Sequence, residues 1–323
     1  MGSARGLERT LVPRTGIPCF FVPMSPPASA LGPARMARAV LASLRVIRRW
    51  RPNATIATGG YVSAPVALAS WICRVPVVLF LPDVVPGKAV AFLAPLARRI
   101  AVSTDRALTY LPREKTVTTG YPVRREFYQA TRDDARRRFS LAPDDRVLCV
   151  FGGSQGSRSI NQALERHLSR LLSRCHVIHV SGEARLPEAE AAAAVLTPDQ
   201  RSRYRLFPYL HDSEMADALA AADLAVCRSG ASVLGELPAT GTPAILVPLP
   251  ARGVHQLENA EYLADAGAAI LVHDDNISTR LADLVDELLE EPERLQRMRD
   301  AALGLRRPDA AARIVSLVER LAT

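Results

Sequence analysis

Short runs of hydrophobic residues alternate along this chain with longer segments that repeat their hydrophobic residues at helical spacing. The runs predict strands at 19–23, 54–57, 75–81, 100–102, 147–151, 177–180, 224–227, 244–247 and 268–272. The segments between them predict helices at 34–50, 63–73, 160–172, 212–221, 233–240, 256–266 and 279–289. Continuous apolar runs are typical of strands that are buried on both faces. The pattern therefore predicts an α/β protein with doubly wound parallel sheets, because parallel strands need helical crossovers.

The size and composition of the chain fit two such sheets. Its 323 residues, 48% of them hydrophobic, exceed a usual single domain and can bury a sizeable core. The five cysteines are scattered and form no CxxC pair, which argues against a disulfide framework or a zinc site and favours a reducing cytosol. A charge-dense stretch at 125–145 predicts a linker between an N-terminal domain (1–124) and a C-terminal domain (146–306). We expect a last helix, within 307–323, to strap the two domains.

Charge is shared unevenly between the two halves. Residues 1–124 contain 17 Lys and Arg against 4 Asp and Glu, whereas the remainder contains 24 against 29. A basic half is typical of proteins that meet nucleic acid, an anionic bilayer or an anionic substrate, and an arginine-rich solvated face explains it equally well. Nucleic acid is the weakest of these hypotheses, because no reader motif accompanies the charge. The longest uncharged stretch contains Gly59, Gly60 and Pro65, which argues against a membrane span. The sequence also predicts no signal peptide before it.

Two glycine-rich loops in the second half follow predicted strands and open predicted helices. The first, 152–157 (GGSQGS), has neither Walker A nor GxGxxG spacing, but a helix N-terminus behind such a loop stabilises a phosphate. The second, 228–232 (RSGAS), opens the helix that carries Glu236, whose carboxylate could accept ribose hydroxyls as in dinucleotide folds. A plain structural turn and a surface carboxylate remain open alternatives at this stage.

Further polar residues follow other predicted strands. His255, Gln256 and Asn259 begin a helix and share one of its faces, so they could read sugar hydroxyls, although a lone histidine there is more often a cap. In the first half, 58–63 (TGGYVS) is another strand-to-helix turn, and Arg124 is placed to meet an anion. Open α/β sheets bind their ligands at the carboxyl ends of strands, where these residues are predicted to lie.

As a set, these motifs resemble the MurG family of glycosyltransferases, and the match covers nearly the whole chain. The segments that carry it occur in family order: GLERTLVP (6–13), GGYVSAP (59–65), VPVVL (75–79), GYPVR (120–124), GGSQGSRSINQ (152–162), ADLAVCRSGASVLGE (222–236), HQLENA (255–260) and PDAAARI (308–314). The resemblance implies a GT-B architecture, in which two Rossmann-like domains face a cleft. It also implies an inverting transfer of N-acetylglucosamine from UDP-N-acetylglucosamine to undecaprenyl-pyrophosphoryl-N-acetylmuramyl-pentapeptide in peptidoglycan synthesis, without a metal or other cofactor.

The resemblance also assigns residues to the two substrates. Ser154 and Arg124 are expected at the phosphates, Leu210 and 230–233 at the uridine, and Glu236 at the ribose. The donor-binding residues that it implies are Arg124, Ser154, Gln155, Leu210, Ser229, Gly230, Ala231, Ser232, Val233, Glu236, His255, Gln256 and Asn259. The acceptor-side residues that it implies are Gly59, Gly60, Tyr61 and Asp83.

The chain departs from the family pattern at two places. Family members begin with a strand, a glycine-rich loop ending in the histidine that is the usual candidate base, and a helix. This sequence starts after them, so we expect a truncated N-terminal domain, explained most simply by a misplaced start codon, and assign no catalytic residue. Phe80-Leu81-Pro82-Asp83 also replaces the family's His-Glu-Gln-Asn, and Tyr121 replaces an asparagine. These departures motivate two alternatives, a related GT-B transferase acting on another lipid acceptor and a non-catalytic UDP-sugar-binding protein.

The resemblance gives the basic half a candidate partner. An anionic membrane attracts juxtamembrane Lys and Arg with about 1 kcal/mol each. The predicted helix 34–50 and the segment 87–99 are therefore expected to touch lipid. The arginines of that helix are Arg35, Arg38, Arg45, Arg48 and Arg49. This predicts a peripheral protein on the cytoplasmic face of the cell membrane.

Overall fold

A computed structural model describes residues 1–3, 9, 12–13, 15–23, 32–153, 155–251 and 253–322. Their contacts divide the chain into two compact units, one formed by Met1–Gly120 with Asp309–Thr323 and the other by Tyr121–Pro308. The predicted linker 125–145 is part of the second unit and contains two helices. The sequence-based boundaries at 124, 146 and 307 stay predictions. Ser154, the predicted diphosphate contact, lies outside the described residues.

The first unit is built on parallel strands. β1 (Gly2–Ser3) pairs with β2 (Phe21–Val22), and a four-stranded parallel sheet follows in chain order. The strands of that sheet are β3 (Thr55–Ala57), β4 (Val77–Leu81), β5 (Arg99–Val102) and β6 (Thr116–Thr118). The helices between them are α1 (Gly32–Trp50), α2 (Ser63–Ile72) and α3 (Lys88–Leu93), with a 3-10 helix at Asp105–Thr109. All five residues of β4 are buried, as its continuous apolar sequence predicts.

The second unit contains six parallel strands with helices between them. After α4 (Arg125–Gln129) and α5 (Arg132–Arg138), the elements in chain order are β7 (Val147–Phe151), α6 (Arg158–Leu172), β8 (His176–Val180), α7 (Leu186–Ala194), α8 (Pro198–Ser202), β9 (Tyr204–Phe207), α9 (Asp212–Ala221), β10 (Leu224–Cys227), α10 (Val233–Thr240), β11 (Ala244–Leu246), α11 (Gln256–Asp265), β12 (Ala269–Leu271), α12 (Ile277–Glu290) and α13 (Pro292–Gly304). Short 3-10 helices at Glu183–Arg185 and Asp274–Asn276 precede α7 and α12. The last helix of the chain, α14 (Ala310–Ala322), groups with the first unit, where Asn53 donates a hydrogen bond to the Ala322 carbonyl at 3.2 Å.

The strand order of the second sheet determines where a ligand can enter. The order is β12-β11-β10-β7-β8-β9, so the chain starts in the middle, builds outward through β8 and β9, and then returns to place β10 on the other side of β7. This is the order of dinucleotide-binding sheets, and a crevice opens between β7 and β10, where the direction of winding reverses. The two glycine-rich loops follow these two strands.

The helices of this unit are held by a hydrophobic core and by the half-buried carboxylate of Asp223. α6 and α12 pack against each other and bury Leu164, Leu171 and Leu281 completely. Asp223, just before β10, accepts hydrogen bonds from Arg132 and from Arg136, whose Nη2 lies 3.1 Å from Oδ2. These contacts tie α5 to the amino end of the sheet, at the opposite end of the strands from the crevice.

Candidate functional site

A cavity of about 650 Å³ lies at the carboxyl ends of β7 and β10. The residues that line it are Phe151, Gly152, Gly153, Gln155, Gly156, Ser157, Arg158, Ser159, Gln162, Arg228, Gly230, Ser232, Val233, Leu249, Gln256 and Asp274. Its walls therefore come from both glycine-rich loops and from the loop that precedes α11. The volume is within the range of small-molecule sites.

The loop after β7 is closed so tightly that two of its glycines admit no side chain. A Cβ on Gly152 would lie 2.0 Å from the Ser157 nitrogen, and one on Gly156 would lie 2.3 Å from the Ser181 carbonyl oxygen. Gly156 also has a positive φ of 71°, which L-residues with side chains rarely adopt. The backbone of this loop can therefore fold closely over the start of α6.

The amino end of α6 provides the positive pole of the cavity. Ser157 caps the helix by accepting a hydrogen bond from the Ile160 nitrogen, and α6 begins at Arg158, two residues before the predicted start. The first N–H groups of a helix have no intrahelical acceptor, and they carry the positive end of the helix dipole. The Arg158 side chain adds a formal positive charge to the same wall. This wall of the cavity fits a phosphate group.

The loop after β10 is fastened to the start of α11. Ser229 is fully buried, and its hydroxyl donates to the Gln256 carbonyl at 2.7 Å. Asn259 is equally buried, and its Nδ2 donates to the Ser229 carbonyl at 3.1 Å. Both side chains therefore hold one loop against the other, which leaves Gly230, Ser232 and Val233 to line the cavity.

Glu236 lies one turn into α10 and is only partly accessible. Its Oε2 accepts a hydrogen bond from the Ser232 hydroxyl at 3.0 Å. Burial raises the pKa of Glu236 above its ordinary value, while the Ser232 hydrogen bond and the positive charge of Arg124 act in the opposite direction. The carboxylate thus contacts Ser232, a residue of the loop that lines the cavity.

The side chains at the start of α11 diverge. Gln256 lines the cavity, and its Oε1 accepts a hydrogen bond from the Leu249 nitrogen at 3.0 Å. His255 precedes the helix, with its Nδ1 3.8 Å from a carboxylate oxygen of Glu258. Asn259 contacts Ser229 and thus the loop that the MurG resemblance expects it to support, while Gln256 lines the cavity. That all three side chains bind the sugar stays a prediction.

Three other predicted donor residues, Arg124, Leu210 and Ala231, are not among the residues that line the cavity. Arg124 belongs to the second unit, and its guanidinium lies 5.5 Å from the centre of the Phe127 ring. Leu210 is buried between β9 and α9 and does not line the cavity, and neither does Ala231. Tyr121, the residue that replaces the family's asparagine, packs on α10, where a Cβ on Gly235 would lie 3.0 Å from its ring.

The predicted acceptor-side residues lie in the first unit, after β3 and β4. Gly59 and Gly60 both have positive φ, of 86° and 74°, and the Ser63 hydroxyl donates to the Gly59 carbonyl. The Tyr61 hydroxyl lies 3.2 Å from the Ser3 hydroxyl. Asp83 follows β4 and is partly buried. These residues thus follow the carboxyl ends of neighbouring parallel strands.

Six polar residues that line the cavity were not among the predicted site residues. They are Ser157, Arg158, Ser159, Gln162, Arg228 and Asp274. Five of them lie inside the segments 152–162 and 228–232, and their position there was a usable signal. Asp274 gave no local signal, because its partner Arg228 is 46 residues away in the chain.

No candidate metal centre is present among the described residues, since no three His, Cys, Asp or Glu side chains there come together as ligands. All five cysteines are free, and burial raises the pKa of the Cys149 thiol to about 12. Within the described ranges, no helix has the length and hydrophobicity needed to cross a bilayer.

Comparison with known proteins identifies the family. Residues 1–102 match the glycosyltransferase family 28 N-terminal domain, and residues 147–314 match the glycosyltransferase family 28 C-terminal domain. The chain belongs to glycosyltransferase family 28. It is therefore a glycosyltransferase, and the predicted MurG-type resemblance is confirmed.

Two family 28 relatives are similar over nearly the full chain. The protein from Roseiflexus sp. (strain RS-1) is 40% identical, with 99% of this chain and 83% of the relative covered. The protein from Desulforudis audaxviator (strain MP104C) is 36% identical, with coverage of 100% and 89%. Both are named UDP-N-acetylglucosamine--N-acetylmuramyl-(pentapeptide) pyrophosphoryl-undecaprenol N-acetylglucosamine transferase. The crystal structure of Acinetobacter baumannii MurG superposes with a TM-score of 0.77 at 25% identity, covering 98% of this chain and 89% of that one. The predicted GT-B fold is confirmed.

Proposed function

We propose that this family 28 enzyme transfers N-acetylglucosamine from UDP-N-acetylglucosamine to undecaprenyl-pyrophosphoryl-N-acetylmuramyl-pentapeptide, the lipid I to lipid II step of peptidoglycan synthesis. The observation that carries the proposal is the cavity at the switch point of the second sheet, which is lined by both glycine-rich loops. Relatives that align over nearly the whole chain are named for this reaction. Their agreement with the cavity chemistry supports the choice of donor.

In the proposed complex the nucleotide lies across the crevice. The diphosphate occupies the wall formed by 152–153, 155–157 and the amino end of α6, where N–H groups and Arg158 offset its charge. Uridine lies along 230–233, and Glu236 accepts the ribose hydroxyls. Gln256, with His255 at the start of the same helix, binds the N-acetylglucosamine.

The proposed reaction is a single inverting displacement. An acceptor hydroxyl attacks C1 of the sugar, the bond from C1 to the pyrophosphate breaks, and UDP leaves with the electron pair. Preorganised N–H donors aimed at the departing diphosphate lower the barrier most where charge develops. Because the helix end and Arg158 supply that positive charge, we propose that the transfer needs no metal ion or other cofactor. The group that removes the acceptor proton stays unassigned.

The proposed acceptor requires the enzyme to work at a membrane surface. Five arginines of α1 are exposed, while Ala39, Val40 and Ile47 of the same helix are buried. Trp50 and Phe92 are exposed in the same unit, with 54% and 62% of their surfaces accessible. Basic and aromatic side chains together favour binding to an anionic bilayer. We therefore propose a peripheral location on the cytoplasmic face of the cell membrane.

Calorimetric titration with UDP-N-acetylglucosamine tests the donor assignment. Calorimetry suits this chain because both tryptophans, Trp50 and Trp71, belong to the first unit, whereas the cavity is built by the second. We expect UDP-N-acetylglucosamine to bind and ADP-glucose to bind at least tenfold more weakly, a difference of about 1.4 kcal/mol. Failure to bind at millimolar UDP-N-acetylglucosamine would contradict the proposal.

A second candidate concerns the acceptor alone. The segment 80–83, which replaces the polar motif of the family, begins with two residues, Phe80 and Leu81, that are buried in β4. Its only carboxylate is that of Asp83. This favours testing a related transfer to another polyprenyl-linked acceptor. Turnover of UDP-N-acetylglucosamine measured with a muramyl-pentapeptide lipid and with a lipid lacking the peptide separates the two. A preference for the second lipid would replace the acceptor assignment and leave the donor assignment intact.

Vesicle sedimentation tests the membrane assignment. Replacing Arg45 and Arg48 by Glu reverses two exposed charges on α1, and we expect binding to anionic vesicles to fall at least tenfold. Arg297→Glu, on an exposed site of α13 in the second unit, is the matched control. Equal binding of the wild-type chain to neutral and anionic vesicles at low salt would refute the proposal.

A further inference from the structure

The guanidinium of Arg228 contacts three segments of the chain besides the loop that carries it. Its Nη1 donates to the Val247 and Pro248 carbonyls at 3.1 and 3.3 Å and to Asp274 Oδ1 at 2.5 Å. Its Nη2 donates to the Ser159 hydroxyl at 2.8 Å, and that hydroxyl donates to the same Asp274 oxygen at 2.6 Å. One side chain thus connects the loop after β10, the loop after β11, the first turn of α6 and the turn after β12.

These four segments belong to four adjacent strands. The sheet order β12-β11-β10-β7 places the four strand ends side by side, with Arg228 on the third of them. The side chains of Arg228 and Asp274 are mostly buried, with 12% and 19% of their surfaces exposed. A planar guanidinium with donors in fixed directions is suited to connecting several acceptors at once, which an ammonium group is not.

We propose that Arg228 and Asp274 act as a positioning pair that holds the donor-binding loops in their binding geometry before the nucleotide arrives. The inference rests on the proposed function, because the loops it fixes are those assigned to the UDP-sugar. Arg228 is an arginine in a cavity that fits a diphosphate, so the obvious role for it is a phosphate contact. Its geometry assigns it another role, since both terminal nitrogens are engaged by protein acceptors and Asp274 neutralises its charge.

The two roles predict opposite effects of Asp274→Asn. If Arg228 were a phosphate contact, its ion pair with Asp274 would compete with the phosphate. Removing the carboxylate would then make the guanidinium available to the phosphate and tighten the binding of UDP. If the pair positions the loops, the same change loosens them and weakens binding of uridine and of UDP alike. Loss of a hydrogen bond to a charged group corresponds to a loss of affinity of about tenfold or more.

The experiment compares Arg228→Lys, Asp274→Asn and Asp274→Glu with the wild-type chain. Dissociation constants for uridine and for UDP are measured by ligand-observed NMR, and hydrogen exchange of 229–233 and 248–256 is followed without ligand. Asp283→Asn is the matched control, because it removes an exposed carboxylate 2.8 Å from Arg170 on the outer side of α6 and α12. Thermal unfolding of each variant separates loosened loops from a loss of overall stability.

The positioning role predicts one pattern across all variants. Arg228→Lys and Asp274→Asn should weaken both ligands about tenfold and accelerate exchange in both loops, while Asp274→Glu restores part of each and Asp283→Asn changes neither. Tighter UDP binding by Asp274→Asn would overturn the inference. Unchanged hydrogen exchange of the two loops in both Arg228→Lys and Asp274→Asn would also overturn it. A wild-type chain that binds neither ligand contradicts the proposed function instead, and loop exchange in the free protein still decides whether the pair positions the loops.

Discussion

Two strand-to-helix turns look alike in the sequence and differ in the structure. Residues 58–63 (TGGYVS) follow β3 in the first unit, and 152–157 (GGSQGS) follow β7 in the second. A Cβ on Gly60 would meet nothing within 4 Å, whereas a Cβ on Gly156 would collide with the backbone of the neighbouring loop at Ser181. The first turn needs glycine for its backbone angles alone, and the second needs it for close packing as well. A Gly-Gly pair after a strand therefore does not by itself indicate a closely packed ligand loop.

The two units also differ in their histidines. All six histidines lie in the second unit, and the first contains none. The second unit also holds the hydrogen bonds that join Ser229 to Gln256 and Asn259, and the ion pair of Arg228 with Asp274. We therefore expect substitutions and acidification to act strongly on the second unit and weakly on the first.

The largest expected effect is that of Gly156→Ala. The new methyl group would meet the Ser181 carbonyl at 2.3 Å in a backbone conformation with φ of 71°. Overpacking and the left-handed conformation together should lower the free energy of unfolding by about 4 kcal/mol and abolish UDP binding. Urea denaturation followed by circular dichroism measures the first effect, and calorimetry measures the second.

Gly230→Ala is the matched control for this prediction, because a Cβ there would meet nothing within 4 Å and no positive φ is required. We expect its free energy of unfolding to change by about 0.5 kcal/mol or less. If Gly156→Ala behaved like Gly230→Ala, the close packing of the loop would not be the reason for the glycine.

The next largest effect concerns pH and the buried His179. Its Nδ1 lies 2.7 Å from the Tyr204 hydroxyl, and among the described residues its Nε2 has no partner. Burial lowers the pKa of His179 from 6.5 to about 4, so the folded protein keeps the ring neutral while the unfolded chain takes up a proton. The stability from this group is complete above pH 6.5 and is lost as the pH falls through 4, a change of about 3 kcal/mol.

The unfolding free energy of the wild-type chain, compared with His179→Leu/Tyr204→Phe between pH 7.5 and 4, tests this prediction. The double variant removes the titrating ring and also the buried hydroxyl that would otherwise lose its partner. We expect the pH dependence to be weaker in the variant. Parallel curves for the two proteins would show that His179 is not the source.

The accuracy of the sequence analysis followed burial. Strands β7 and β10 and helices α9 and α10 have the bounds that the sequence predicts, because fully buried apolar runs and capped helices are strong local signals. The edge strands β6 and β9 were missed, since Thr116–Thr118 is polar and Tyr204–Phe207 is largely half-exposed. The other two edge strands of the same two sheets, β3 and β12, were predicted at 54–57 and 268–272, because their sequences keep a short apolar run.

Some residues of the candidate site could be predicted from the sequence and others could not. Gly230, Ser232 and Gln256 lie on the cavity, as their position after strands suggested, because the loops at the carboxyl ends of parallel strands meet there. The long-range pair of Arg228 and Asp274 was invisible, because nothing in the local sequence of either residue specifies the other. Local patterns indicate which loops meet, and side-chain packing decides which residues of a loop face the ligand.

A smaller effect is expected for Glu236→Gln. The amide oxygen can still accept from Ser232, which lies 3.0 Å away in the wild-type chain, so the fold should be unaffected. Loss of a charged acceptor for ribose hydroxyls should weaken UDP binding about tenfold and reduce the preference for UDP over 2′-deoxy-UDP. Calorimetry with both nucleotides measures this. An unchanged preference would remove Glu236 from the ribose site, while the contrast between the two units would remain.

The smallest expected effect is that of Gly60→Ala in the first unit. Its φ of 74° disfavours alanine, but the space around the new methyl group is open. The cost should therefore be that of the left-handed conformation alone, about 1 kcal/mol, with UDP binding unchanged. Urea denaturation and calorimetry, performed as for Gly156→Ala, give the comparison directly. A loss as large as that of Gly156→Ala would mean that the first turn is also closely packed, and the difference between the two turns would then lie in their ligands and not in their packing.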